Sequence, residues 1–119
     1  MPKKPVSKNV GRLNEDIRRE LIAIIGEMKD PHIQQGGLIT ITRVETAPDL
    51  SSAKVYVSAM GGQYGAPEVA AALDRAKGHV RSAIAARMHI RRSPELLFVA
   101  DESAAYAAHI NDVLNQLDK

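Results

Sequence analysis

Between Arg75 and Pro94 the chain carries Arg75, Lys77, Arg81, Arg87, Arg91 and Arg92, with His79 and His89, and no Asp or Glu. Guanidinium and ammonium groups at this density suit phosphate, which they hold by charge and hydrogen bonds without reading a base sequence. Among them, Ala76-Lys77-Gly78-His79 sets a glycine inside an otherwise helical pattern, where it costs roughly 1 kcal/mol relative to alanine. A bend at Gly78 gives the segment from His79 its own amino end, with unpaired N–H groups and the positive end of a helix dipole turned towards an anion. Gly78, Ala85 and Ala86 leave a low surface on which a phosphate backbone fits. The competing reading is that Gly78 lets two elements pack closely and that the cations solvate an outer helix face, as charge runs usually do.

Other chemistries find fewer residues. Without cysteine there is no disulfide, thiolate nucleophile or cysteine zinc site. His32, His79, His89 and His109 show neither HxH nor HExxH spacing, so no metal is expected. The acids Asp30, Asp49 and Asp101 sit at helix ends and turns, where capping accounts for them. No catalytic residue is assigned, no cofactor is expected, and the chain reads as a non-enzyme. Gly61-Gly62-Gln63-Tyr64-Gly65 contains a literal GxxG at Gly62 to Gly65, but neither GxxxxGK[ST] nor GxGxxG is present. A sheet that stacks bases needs aromatics; with one Phe, three Tyr and no Trp, Tyr56 alone is placed to stack.

The elements that position the cations follow from periodicity. At 119 residues, 45% apolar and 25% charged, the chain has the size and composition of one soluble globular domain. No run approaches the roughly 20 apolar residues of a membrane span, and Met1-Pro2-Lys3-Lys4-Pro5 lacks a secretory apolar core. The expected location is cytoplasmic, with no membrane partner. Residues 1–9, with Lys3, Lys4 and Lys8, read as a flexible basic arm. That arm either adds attraction to phosphate or is an unstructured start without a role. Residues 10–119 form the single domain.

Within it, Leu13, Ile17, Leu21, Ile24, Ile25 and Met28 mark an amphipathic helix over Val10–Met28, capped by Asn9 and ended by Lys29-Asp30-Pro31. Its polar face, mixed in sign, reads as solvated. Leu38–Thr46 and Ser52–Met60 form a hairpin across Ala47-Pro48-Asp49-Leu50-Ser51, with one face towards a core. Pro67 and Glu68 start the interrupted helix that ends before Ser93-Pro94. Glu95–Ala100 suits a buried strand, and Asp101 or Ser103 caps a last helix with Tyr106, Ile110, Val113, Leu114 and Leu117 along one side. This order predicts an α+β, two-layer sandwich of a three-stranded sheet and helices.

Taken in order, Lys29-Asp30-Pro31, Thr42-Arg43-Val44-Glu45, Pro48-Asp49-Leu50-Ser51, Ala53-Lys54-Val55-Tyr56-Val57-Ser58, Ala76-Lys77-Gly78 with Val80-Arg81, Arg91, Pro94-Glu95-Leu96 with Phe98, and Asp101 with Ser103 resemble the ribosome-binding factor A family of bacterial assembly factors. The similarity runs from about Val10 to Leu117. The resemblance implies a type II KH-like domain whose usual GxxG is replaced by Ala-x-Gly, here Ala76-Lys77-Gly78, with Ala76 and Gly78 forming a kink; Gly62 to Gly65 is then in the wrong loop. It implies binding of the small ribosomal subunit and its precursor rRNA, help in maturing the rRNA 5′ end, growth in the cold, and a release GTPase as a partner; the free protein is expected to be a monomer. His32 departs from the arginine common after Asp-Pro in the family. The RNA-binding residues expected are Arg75, Lys77, Gly78, His79, Arg81, Arg87, Arg91 and Arg92, with Lys3, Lys4 and Lys8. Two alternatives stand beside this: a single-strand KH reader with base specificity, and a module that docks on a ribosomal protein or another factor.

Overall fold

Alternation at every second residue decides which side of a strand meets a core. In β2 (Ser52–Gly61) it buries Ala53, Val55, Val57 and Ala59 and leaves Lys54 and Met60 exposed. The computed structural model, which describes residues 5–117, places β2 at the centre of a sheet ordered β1-β2-β3. β1 (Gly37–Thr46) runs antiparallel to β2, and β3 (Glu95–Ala100) runs parallel to it. Ile41 lies opposite Val57 and Arg43 opposite Tyr56, so Thr42 forms a bulge. The bulge resets the alternation, which is why Ile41 and Val44 both reach the core. In β3, Leu96 and Phe98 turn inward while Leu97 is 52% exposed. The strand expected to be buried is therefore covered on one face.

The helices lie on the inner face. α1 (Pro5–Glu27) lays Ile17, Leu21, Ile24 and Ile25 over the sheet at β1. It begins at Pro5, so Asn9 is interior and caps nothing, and residues 5–9 of the expected arm are helical. Lys3 and Lys4 lie outside the described residues, as does the side chain of Lys8. The polar face of α1 does more than meet solvent. Arg18 Nε donates to the Ile41 carbonyl at 2.8 Å, and Asn14 Oδ1 accepts from the Thr46 N–H at 3.1 Å and from the Thr46 hydroxyl.

A short turn that the sequence pattern did not suggest, α2 (Pro31–Gln34), follows where Asp30 accepts from the His32 N–H at 2.8 Å. The Gln35 carbonyl then accepts from the N–H groups of Gln63 and Tyr64, at 2.7 and 3.2 Å. A Cβ on Gly62 would overlap the backbone of Gly36 and Gly37. The Gly62 to Gly65 match is thus a packing turn, with two of its amides already bonded. Among the described residues no helix is long and apolar enough to cross a membrane.

α3 (Ala66–Arg75) carries Pro67 and Glu68 in its first turn as expected, the Glu68 carboxylate accepting from the Gly65 N–H at 3.2 Å. It buries Val69, Ala70, Ala72 and Leu73 against β2 and β3. α4 (Lys77–Met88) buries Val80 and Ile84 and packs mainly on α1. α5 (Ser103–Leu117) departs from the pattern: Ile110, Val113, Leu114 and Leu117 are between 36% and 75% exposed, and among the described residues the helix packs extensively on no other element. The side chain of Tyr106 lies outside the description.

What holds α5 is its start. The Asp101 carboxylate accepts from the Ser103 hydroxyl at 2.6 Å, the Ser103 N–H at 3.0 Å and the Thr42 hydroxyl at 2.7 Å, while the Asp101 N–H donates to the Val57 carbonyl at 2.7 Å. These donors, the Ser103 hydroxyl foremost, lower the Asp101 pKa to about 2 from an ordinary 3.8. Because the folded value lies below the ordinary one, the anchor is complete above pH 3.8 and weakens as pH falls towards 2. Asp101→Ala should loosen the first turn of α5 at neutral pH by about 1 kcal/mol, roughly fivefold in exchange protection of the Ser103 amide. Unchanged protection would contradict the anchoring role.

Candidate nucleic-acid interface

The helix pair breaks at Ala76, whose φ of −100° and ψ of 15° turn the axis. Hydrogen bonding lapses for three residues there: the Ala76 N–H reaches the carbonyls of Ala72 and Leu73 at 3.2 and 3.1 Å and the Val80 N–H reaches the Ala76 carbonyl at 3.0 Å, while the amides of Lys77, Gly78 and His79 between them bond to no carbonyl among the described residues. The kink expected within Ala76-Lys77-Gly78 is present, but Gly78 does not make it. α4 begins at Lys77 and not at His79, so Gly78 lies in its first turn. Its φ is not positive, and a Cβ there would meet nothing within 4 Å. Neither backbone conformation nor internal packing requires the glycine. Its effect is to leave the start of α4 open on the outside, where no side chain caps the helix and no acid stands in its first turn. Uncapped N–H groups and the dipole make this an electropositive point.

Folding sorts the cations into two groups. Arg87 Nε lies 2.7 Å from Glu20 Oε1, and its Nη1 lies 3.8 Å from Glu27 Oε2, so it ties α4 to α1. The hydrogen bond to Glu20 raises the Arg87 pKa. Arg81 donates to the Ser93 carbonyl at 3.3 Å and lies 3.7 Å from Glu95, with its Nε buried and unpartnered. Lys77 lies 3.3 Å from Asp74. By contrast Arg75, Arg91 and Arg92 are exposed and form no ion pair among the described residues. The run free of acids in sequence is therefore not free of them in space.

The exposed cations stand at both ends of α4. Arg75 and the exposed His79 flank its start. Arg91 and Arg92 follow its carboxyl end, where His89 adopts a left-handed cap with φ 56° and ψ 41°. The 12 residues of α4 separate the two ends by about 18 Å. Arg81 and Arg92 border one open depression of about 360 Å³ with Asp49 and Glu95 on its rim.

The outer sheet face offers a different chemistry. The Arg43 guanidinium lies 4.4 Å from the centre of the Tyr56 ring, Arg43 Nε pairs with Glu45 at 3.0 Å, and the Tyr56 hydroxyl donates to Glu45 at 3.2 Å. Tyr56 is thus covered and not a bare platform for a base. His32, the departure from the Asp-Pro-Arg pattern, bonds Asp30 and tilts against Tyr64 with ring centres 4.5 Å apart. The outer-face cluster had no local sequence signal, because Arg43, Glu45 and Tyr56 meet only across the hairpin.

One-sided helices over a three-stranded sheet, with a broken helix pair between the second and third strands, define a type II KH-like domain. A family model described as Ribosome-binding factor A matches residues 9–114. A relative of that name from Desulfitobacterium hafniense is 44% identical over 104 residues, covering 87% of this chain and 81% of its own. The crystal structure of ribosome-binding factor A from Thermus thermophilus superposes with a TM-score of 0.67 at 29% identity, over 79% of this chain and 97% of that one. Coordinates of the Thermus thermophilus protein fitted into the map of a 30S–RbfA complex give a TM-score of 0.62 at 29% identity, over 75% and 91%. The chain belongs to the ribosome-binding factor A family.

Two substitutions separate structure from contact. Gly78→Ala should stabilise the fold, by up to roughly 1 kcal/mol, because the added methyl meets no atom, and at the same time weaken RNA binding; a loss of stability would show that the glycine is structural. Arg87→Ala should lower the melting temperature and leave RNA affinity unaltered. A large affinity loss at Arg87 would instead place that side chain on phosphate.

Proposed function

We propose that this protein is a non-enzymatic assembly factor that binds the small ribosomal subunit and its precursor rRNA, holding folded RNA by shape and phosphate. Family membership carries the reading, and the relative fitted into a 30S–RbfA complex supports the partner. Arg75, Arg91 and Arg92 supply the exposed positive charge, the exposed His79 adds a hydrogen-bonding ring, Gly78 opens the start of α4 to a phosphate, and Lys77 and Arg81 contribute once they exchange Asp74 and Glu95 for RNA. Arg87 belongs to the scaffold. The covered Tyr56 ring favours this mode over single-strand base reading. The proposal extends to maturation of the rRNA 5′ end, support of growth in the cold, release by a GTPase, a cytoplasmic location and a monomeric free state. Residues 10–119 then act as one unit, with Lys3, Lys4 and Lys8 adding sequence-independent attraction.

Affinity for purified small subunits, measured against salt, tests it. Each neutralised phosphate contributes a slope near one in log affinity against log salt, so the wild type should weaken steeply and Arg91→Ala/Arg92→Ala should lower the slope by about two. Salt-insensitive binding, or an unchanged slope in the double variant, would contradict the proposed contact.

A further inference from the structure

The packing of Arg81 leaves most of its hydrogen-bonding capacity unused. Its Nη2 reaches the Ser93 carbonyl at 3.3 Å, its Nη1 stops 3.7 Å from Glu95, and its Nε is buried without an acceptor. A guanidinium offers five donors in a fixed fork, so this one has donors to spare. With Arg92 it borders the open depression of about 360 Å³ between the β1–β2 turn and the start of β3, at the small end of the roughly 300–1,000 Å³ of ligand pockets. Acids line the same space. Asp49 Oδ1 accepts from the Ser51 N–H and hydroxyl at 3.1 and 2.7 Å, while its Oδ2 has no partner among the described residues. The Glu95 side chain, 63% exposed, meets nothing nearer than Arg81. Leu50 adds an apolar wall, 46% exposed and held at φ 61°, where a glycine or asparagine would be the unstrained choice.

This mixed lining rejects simple ligands. A lone phosphate would find Arg81 and Arg92 but also two carboxylates, and a lysine or arginine of a partner protein would meet the reverse conflict. What fits carries a phosphate, an apolar face, and acceptors beside donors on one edge. Among nucleotides, guanine sets the acceptors O6 and N7, the commonest base contact of arginine, next to its N1–H and N2–H₂ donors. We propose that the depression takes one unpaired guanine nucleotide of the RNA, its O6 and N7 accepting from Arg81, its N1–H and N2–H₂ donating to Glu95 or Asp49, and its phosphate on Arg92. The 3.7 Å separation of Arg81 from Glu95 is loose enough to open and admit the base edge. Splayed-out bases of folded RNA are recognised on such edges, so a grip by shape and phosphate gains one point of sequence. The assignment deepens the small-subunit reading above and rests on it.

Amide shifts of the full chain on titration with GMP test it. The amides of Asp49, Leu50, Ser51, Ser93 and Glu95 should shift saturably, with GMP binding at least about tenfold more tightly than AMP, whose N1 acceptor would meet a carboxylate. Glu95→Ala, at a side chain exposed enough for the fold to tolerate it, should weaken GMP by about tenfold or more. A site for phosphate alone predicts the opposite sign, because removing an acid beside Arg81 tightens an anion. No saturable shift with GMP, equal affinity for GMP, AMP and inorganic phosphate, or tighter GMP binding by Glu95→Ala would overturn the guanine site. Argininamide producing the same shifts where GMP does not would give the depression to a basic protein and overturn it equally. Affinity of the wild type for purified small subunits, measured alongside, separates the failures: subunit binding without GMP binding removes the guanine site alone, whereas absent subunit binding removes the reading beneath it.

Discussion

The turn at Ala76 is the constraint on which the rest depends. α3, with Leu73 buried, packs on the sheet, whereas α4, with Val80 buried, packs mainly on α1, and one straight helix cannot present a single stripe to both partners. A local change of ψ at Ala76 resolves this, and the hydrogen-bond ladder lapses at the amides of Lys77, Gly78 and His79 before it resumes at Val80. The same turn creates a second helix start in mid-chain. Because no side chain caps it and the adjacent glycine adds no bulk, the packing solution leaves an electropositive backbone exposed at the surface.

Around that turn, charge is sorted by position in space and not by position in sequence. Glu20, Glu27 and Glu95 come from other elements to meet Arg87 and Arg81, which makes those arginines part of the architecture. Exposed pairs of this kind add little stability individually. Their larger effect is to fix α4 against α1 and against the start of β3, so that Arg75, His79, Arg91 and Arg92 project from a held frame. The opposite sheet face is closed by the Arg43, Glu45 and Tyr56 cluster and by Asp101.

Much of this was legible in the residues. Strict alternation in β2 and the apolar rows of α1 and α3 marked core faces correctly, since a half-buried element must repeat with its own period. Thr42 gave no sign of a bulge because a threonine suits a strand whether or not it is paired. The Arg87 partner lies 67 residues away, beyond any local pattern. The stripe of α5 was legible as a stripe, but amphipathic spacing does not say what covers it, and among the described residues the helix packs extensively on no other element. Gly78 was rightly singled out, but the flexibility it offers is not what the fold uses.

Hydrogen exchange on the free protein and on the protein bound to purified small subunits tests the central claim most directly. Open contact of α4's start with RNA predicts that the amides of Lys77, Gly78 and His79 become protected on binding, together with those of Arg91 and Arg92. Protection confined to the outer sheet face around Arg43 and Tyr56, with the start of α4 unchanged, would contradict it.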